Sequence, residues 1–390
     1  MKKVNSIQVE DKAKCCGCAA CEDVCLKKAI SMQVDEEGFH YPQINGNLCV
    51  GCGMCISVCP IRSETMQQIT NKPIEIYAAR SKDSEVLKNS SSGAMFTYFS
   101  DRILQARGVV YGAARDNALI TKHIRTETPE ERDACRGSKY VQSDMNHCYR
   151  LIEQDLHNGK KVLFTGVACQ CVAVQSYLKV RKCDMSNLIT MDIVCHGVPS
   201  PMLYSEFIEF AGKKKKSQVV SHFHRPKDFG WSHQEKLIFA NGTTDNQTML
   251  SQVWRRLFYS ENMQRPSCYA CPFVGRIRPA DISVGDFWGI GEFLPEYNDK
   301  KGISFVLLNT EKGLDVFNEA LDLLEKTPVE WDWVTKKQER LRGQPVVAKE
   351  RKQFWTVYRE KGFDGIARKY GGYVLKRRLK NYVKRLLKLV

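Results

Sequence analysis

The chain has 390 residues, 43% of them hydrophobic, and its 59 Lys and Arg outnumber 44 Asp and Glu for a formal charge of +15. That length and composition are enough for two or three cored domains. The absence of any apolar run of about 18 residues, and of an apolar leader in the first residues, argues against a membrane span or export and predicts a cytoplasmic protein.

Without an export signal, the 17 cysteines read as ligands rather than as a disulfide framework. Cys15, Cys18, Cys21 and Cys25 form C-x2-C-x2-C-x3-C, and Cys49, Cys52, Cys55 and Cys59 repeat the run and close on Pro60. Two-residue gaps let three successive thiolates reach three irons of one cubane, and the fourth iron takes a cysteine from elsewhere. In the doubled arrangement the fourth cysteine crosses over. Cys15, Cys18, Cys21 and Cys59 are thus expected to hold one 4Fe-4S cluster, and Cys49, Cys52, Cys55 and Cys25 a second. A zinc module is the competing reading, but zinc takes four ligands of its own and does not call for the shared pattern. Cys16 falls off this register and reads as a spare thiol.

Between the runs, residues 29–44 alternate apolar and polar around Gly38, which predicts a small hairpin. Residues 10–65 resemble bacterial two-cluster ferredoxins. The first run departs from their pattern in carrying Leu26 where Pro is usual.

After a polar link at residues 71–73 the chain alternates apolar strands with helical stretches, an α/β pattern. Strands are expected near residues 74–79, 108–114, 161–165 and 188–194. A helix is expected to open at Ser91, Ser92 and Gly93 and to run through Leu104. Its start offers either free amides for a phosphate or an ordinary serine cap. Cys169 and Cys195 sit where two strands run out, the place where α/β sheets bind ligands, and Cys268 and Cys271 follow in a loop.

Ser92 and Gly93, Gly137 to Tyr140, Thr165 to Gln170, Cys195 to Pro201, Cys268 to Cys271 and Asp281 to Gly289, in that order along the chain, resemble the beta-subunit family of deazaflavin-reducing hydrogenases and dehydrogenases over roughly residues 74–325. The resemblance implies an iron-sulfur flavoprotein with FAD and a third 4Fe-4S cluster on Cys169, Cys195, Cys268 and Cys271. It also places Ser92, Gly93, Gly137, Ser138, Lys139 and Gly166 at the FAD. No G-x-G-x-x-G fingerprint is present, so an ordinary dinucleotide site is not expected. Cys135, Cys148, Cys171 and Cys183 read as buried small apolar residues.

The segment 222–233, rich in His, Arg and aromatics, reads either as the wall of a pocket for an anionic conjugated substrate or as an exposed strand and turn. His196 and His224 are the candidate proton donors. Beyond residue 372, Leu375, Leu379, Tyr382, Leu386 and Leu389 share one helical face among basic residues. Such a helix suits an anionic inner-membrane surface, an acidic partner, or plain packing on the domain.

The expected organisation is therefore a two-cluster ferredoxin-like domain (1–70), a larger α/β flavin-binding part in two regions (74–155 and 156–330) and a helical tail (331–390). The expected function is an oxidoreductase exchanging electrons among clusters, FAD, a substrate and a ferredoxin-like donor or partner subunit. The alternative is an electron relay within a larger complex, with no substrate of its own. No nucleic-acid module is recognisable, and nucleic acid is not expected as a partner.

Overall fold

The computed structural model describes residues 5–62 and 69–374. The basic helix expected at the end of the chain falls on residues 375–390 and lies outside the described residues.

The first unit is the cysteine-rich module. Its hairpin pairs β1 (Ile30–Val34) antiparallel with β2 (His40–Ile44). Asp35 closes the turn, its carboxylate accepting the amides of Glu37 at 3.0 Å and Phe39 at 2.9 Å. Gly38 follows at φ +81°, and a Cβ there would meet the Met202 Cβ at 2.3 Å, so the turn is both left-handed and pressed against the larger unit.

That larger unit is built on an eight-stranded sheet. In chain order its strands are β3 (Glu75–Ser81), β4 (Val109–Arg115), β5 (Thr121–Thr126), β6 (Val162–Val167), β7 (Leu188–Ile193), β11 (Ile282–Asp286), β12 (Ser304–Leu308) and β13 (Leu324–Pro328). Their spatial order is β13-β3-β12-β11-β7-β6-β4-β5. The central four, β11, β7, β6 and β4, run parallel, while β5, β12, β3 and β13 are antiparallel to their neighbours. The expected strands are found within one or two residues of their predicted bounds. Val162, Leu163 and Phe164 are wholly buried, as a parallel strand covered on both faces requires. Residues on both sides of position 155 contribute strands to this one sheet.

A second, three-stranded sheet, β8 (Val219–His224), β9 (Glu235–Phe239) and β10 (Thr244–Asn246), packs with helix Pro201–Lys215 and the C-terminal helix Arg351–Lys369 around Phe207, Trp254 and Phe354. The module is not a tethered bead. Ile7, Val24, Ile30 and Val58 share one core with Tyr149, Ile152, Val174 and Tyr177 of the larger unit. Tyr149 donates its hydroxyl to the Cys18 carbonyl at 2.7 Å, and the Arg265 guanidinium donates to the carbonyls of Cys15 at 2.7 Å and His40 at 2.8 Å. Arg351, at the start of the C-terminal helix, pairs with Glu37 in the hairpin turn. The module's position on the sheet is therefore fixed by apolar burial and by cations aimed at its backbone.

Candidate metal centres and cofactor cavity

In the module, each cysteine run enters a one-turn helix, Ala20–Asp23 or Met54–Ser57, through a left-handed residue, Ala19 or Gly53. The turns gather the sulfurs in two groups. Cys21 lies in the field of Cys18, Cys15, Cys59 and Cys55, and Cys59 in that of Cys18 and Cys15, so the last cysteine of the second run sits among the first run. Cys55 is grouped with Cys52 and Cys49, and Cys25 is positioned by the Ala29 amide, 3.3 Å from its sulfur. Burial pushes the Cys59 thiol up to about 11, and Cys55 rises for the same reason while the Ile7 amide opposes it from 3.2 Å. Thiols so placed become thiolates when a bound metal offsets the lost hydration. The donor set fits clusters. The groups differ in access: Cys18, Cys21, Cys55 and Cys59 are buried, whereas Cys52 is exposed, with Leu26 and Val50 open to solvent in the same part of the module.

A further four cysteines arrive from separate places. Cys169 lies in the first turn of helix Ala168–Val180 directly after β6, Cys195 follows β7, and Cys268 and Cys271 lie in and just after the tight turn Pro266–Ala270. Each is close enough to feel the others' charge, and together they line a small cavity of about 60 Å³. Burial pushes Cys195 up to about 12 and Cys268 to about 11. Amides are nevertheless aimed at the sulfurs: Gly197 at Cys195 (3.3 Å), Val198 at Cys268 (3.4 Å) and Phe273 at Cys271. Arg265, Arg278 and Arg340 also line this cavity, and no carboxylate does among the described residues. Four soft sulfur donors, amide donors on three of them and a cationic rim fit an anionic iron-sulfur cluster. Cys16 and Ile61 of the module complete the wall. Cys16, read from the sequence as a spare thiol, thus faces the four-cysteine cavity.

Val194, Cys195, His196, Gly197 and Val198 also form part of the wall of a much larger cavity, about 660 Å³, at the carboxyl ends of the parallel strands. That size and position suit a cofactor or conjugated ligand. Ser92, Gly137, Ser138, Lys139 and Gly166 all line it. Gly93 does not. Its amide donates to Ser304 Oγ at 3.0 Å, and a Cβ would meet the Ala79 carbonyl oxygen at 2.3 Å, so this glycine permits close packing on the sheet. The helix also begins later than expected. It spans Met95–Gln105, entered through Ala94 at φ 69° with no side-chain cap, because Ser92 is turned away to donate to the Ile303 carbonyl at 2.8 Å. Its uncapped first turn, Met95 to Thr97, faces the large cavity.

Several lining groups carry charge or flat rings. Lys139 is pushed down to about 7 by burial, and its ammonium donates to the carbonyls of Ala134 and Arg136. Arg225 pairs with Asp286 and donates to the Ser91 carbonyl at 2.9 Å. Trp288 stacks on Trp231 with ring centroids 4.2 Å apart, and the His233 ring lies 4.6 Å from Trp288. The segment 222–233 therefore serves both expectations: Arg225 and His233 line the cavity, while Phe223 and Phe229 are exposed. Tyr140, at the end of the Gly137 to Tyr140 motif, lines it too, as do Cys135, read from the sequence as a buried apolar residue, and Tyr259, which no local pattern singles out.

The two candidate histidines part company. His196 lines the cavity with Nε2 2.8 Å from Glu261 Oε1. Burial opposes ionisation of Glu261, yet His196 and the Arg340 cation hold it below the usual carboxylate range. His224 is instead sealed from solvent with His222 and Glu235. Its Nε2 sits 2.7 Å from an Arg115 nitrogen, which can only donate, so Nδ1 carries the proton given to Glu235 Oε2 at 2.7 Å. His222 Nε2 approaches the same oxygen at 2.8 Å. Although the three side chains are close enough to surround an ion, this proton arrangement occupies the His224 nitrogen a metal would use. Burial lowers both histidines and raises Glu235 well above the usual range. The cluster braces β8 against β9.

Among the described residues, no helix is long and apolar enough to cross a membrane. Two family models match the chain: the 4Fe-4S dicluster domain at residues 14–63, and the C terminus of the coenzyme F420 hydrogenase/dehydrogenase beta subunit at residues 159–330. The ferredoxin-type protein NapF of Escherichia coli K12 is 36% identical over 52 residues, 13% of this chain and 32% of that protein; the chain thus spans about a third of that relative's length. Ketoisovalerate oxidoreductase subunit VorC of Methanothermobacter marburgensis is 36% identical over 62 residues, 15% of this chain and 76% of that protein. A chain from a structure of the F420-reducing NiFe hydrogenase complex of Methanosarcina barkeri superposes with a TM-score of 0.49 at 19% identity, covering 75% of this chain and 94% of that one.

Proposed function

Because the chain belongs through residues 159–330 to the coenzyme F420 hydrogenase/dehydrogenase beta-subunit family and carries a 4Fe-4S dicluster domain at residues 14–63, we propose that it is an iron-sulfur flavoprotein oxidoreductase. Its single electrons come from a ferredoxin-like protein or partner subunit, and its substrate is a small molecule that takes up or gives an electron pair. Cys15, Cys18, Cys21 and Cys59 hold one 4Fe-4S cluster, Cys49, Cys52, Cys55 and Cys25 a second, and Cys169, Cys195, Cys268 and Cys271 a third. When bound, the clusters carry single electrons and FAD converts between one- and two-electron chemistry.

The observation that carries this reading is a shared wall: Cys195 and its neighbours bound both the four-cysteine cavity and the large one, while Cys16 and Ile61 bring the module to the first. The remaining residues have ordinary tasks. Ser92, Gly137, Ser138 and Gly166 hold FAD in the large cavity, Lys139 and Arg225 offer positive charge to its phosphates, and Trp288 offers a flat face to a ring. His196, 2.8 Å from Glu261, is the candidate proton donor at the cavity wall.

The test is an anaerobic purification followed by iron, acid-labile sulfide and flavin assays on one sample. About twelve irons and one FAD per chain are expected, at four irons per cubane. About eight irons without flavin would sink the third cluster and the FAD together and leave an electron relay in their place.

A further inference from the structure

The module is polarised in charge as well as in exposure. At the hairpin turn and against the larger unit its carboxylates are partnered: Lys12 pairs with Asp35 at 2.7 Å and Glu36 at 2.8 Å, Arg351 with Glu37, and His147 with Asp23 at 2.6 Å. The open end of the hairpin differs. There the segments 25–29 and 45–52 are laid side by side: the Asn45 amide donates to the Ala29 carbonyl at 2.8 Å, the Cys49 amide to the Asn45 carbonyl at 3.1 Å, and the Lys28 amide turns back to the Cys25 carbonyl at 3.0 Å. Neither segment contains Asp or Glu. Lys27 and Lys28 are exposed and have no ion-pair partner among the described residues. On the same two segments Leu26, Leu48 and Val50 are 73%, 48% and 66% exposed, and Cys52 is the exposed cysteine. Large apolar side chains grouped in water mark a contact surface. Three of them are too few for a permanent subunit interface of about 2,000 Å² or more, but they match the transient contacts of redox carriers, under about 1,200 Å².

We propose that this end of the module is the docking face for a small acidic one-electron carrier protein of the ferredoxin class. Lys27 and Lys28 steer the carrier, and Leu26, Leu48 and Val50 seat it over Cys52. A cationic face on a chain of formal charge +15 repels a second copy of the chain and attracts an acidic protein, and such complementarity acts mainly on the rate of encounter. In the transfer one electron leaves the carrier's cluster and enters the set of Cys49, Cys52, Cys55 and Cys25. The carrier is oxidised by one electron and that set reduced by one, with no bond made or broken and no proton moved. The proposal rests on the assignment of clusters to the module; it needs neither the third cluster nor FAD.

The test uses the full chain, purified anaerobically, and follows bleaching of its clusters in a stopped-flow instrument with two reductants: a reduced acidic two-cluster bacterial ferredoxin, and reduced methyl viologen, a small cation that needs no docking face. With the ferredoxin, the wild-type rate constant is expected to fall several-fold as ionic strength rises. The double variant Lys27→Gln/Lys28→Gln should lose roughly tenfold at low salt and most of the salt dependence, while its iron content and its reduction by viologen stay as in wild type. Leu26→Ser/Val50→Ser should slow the ferredoxin reaction and leave its salt dependence intact. A ferredoxin rate insensitive to salt and to both variants would overturn the proposal, and so would an equal loss with both reductants, which places the defect in the cluster. Two further results give the face to another occupant and also overturn it: sedimentation with phosphatidylglycerol vesicles that Lys27→Gln/Lys28→Gln abolishes, or a wild-type dimer that Leu26→Ser/Val50→Ser dissociates. About eight irons without flavin in wild type sinks the flavoprotein reading and leaves this proposal standing, whereas fewer than about eight sinks the module clusters and the proposal with them.

Discussion

The module and the α/β body both gather cysteines, but they are held together by opposite means. In the module, the ligands of each run lie within eleven residues of one another on loops that make two one-turn helices and a hairpin. Little apolar surface is buried inside so small a unit; the larger unit beneath it shares its core, and the clusters proposed above would fix the rest. The body brings Cys169, Cys195, Cys268 and Cys271 from strand ends and a turn of a sheet whose own core is complete without them. On the proposed assignment, a ligand set made by a fold is dispensable to that fold. A ligand set that makes the fold is not.

The sharpest break of this comparison is removal of iron. Amides of residues 5–62 should lose hydrogen-exchange protection almost wholly in the stripped protein, while those of β4, β6 and β7 keep theirs. Equal protection in the two regions would show that the module stands on its own packing. Next in size is the body's buried ion pair, Arg278 to Asp192 at 2.7 Å, with Arg278 also donating to the Phe273 carbonyl at 2.8 Å. Arg278→Leu leaves a buried carboxylate unpaired and should cost about 3–5 kcal/mol in denaturant unfolding of the body. The seam between the regions is weaker: Tyr149→Phe removes one hydroxyl bond to the Cys18 carbonyl and should cost about 1 kcal/mol, read as faster exchange in the module alone.

The smallest expected effect concerns the large cavity. Burial sets Lys139 at about 7, below an ordinary lysine. The ammonium is therefore charged below that pH and neutral above it, and an anion near it binds less tightly as pH rises through this value. FAD binding to flavin-depleted protein should weaken a few-fold across that range, and Lys139→Met should flatten the profile. A profile equally steep in the variant would assign the dependence to another group.

These differences also explain which features the residues reveal on their own. The eight module cysteines are legible because cubane ligation imposes local spacing. Of the four body cysteines only Cys268 and Cys271 keep a two-residue gap, in a loop, and Cys169 and Cys195 are marked by their place at strand ends together with the family resemblance. Cys16 reads as spare because only the docking of the module on the sheet brings it to the wall of the cavity that Cys169 also lines, 153 positions along the chain and invisible to any window. Ser92 and Gly93 mislead for a similar reason: serines before an apolar run signal a cap, but β12 and the residue before it claim both, and Ala94 takes the left-handed turn instead. His224 looks available because β8 alternates, whereas Glu235 on the neighbouring β9 and Arg115 from the end of β4 in the other sheet enclose it.

Among the 17 cysteines, Cys52 alone is exposed. Dissolved oxidants therefore reach the protein's cysteines first at its outer end, where exposure is greatest. On the cluster assignment proposed above, bleaching in air should begin with the set that contains Cys52 and reach last the set of Cys15, Cys18, Cys21 and Cys59, three of which are buried. In that order of loss the outer set would act as the sacrificial part of the molecule.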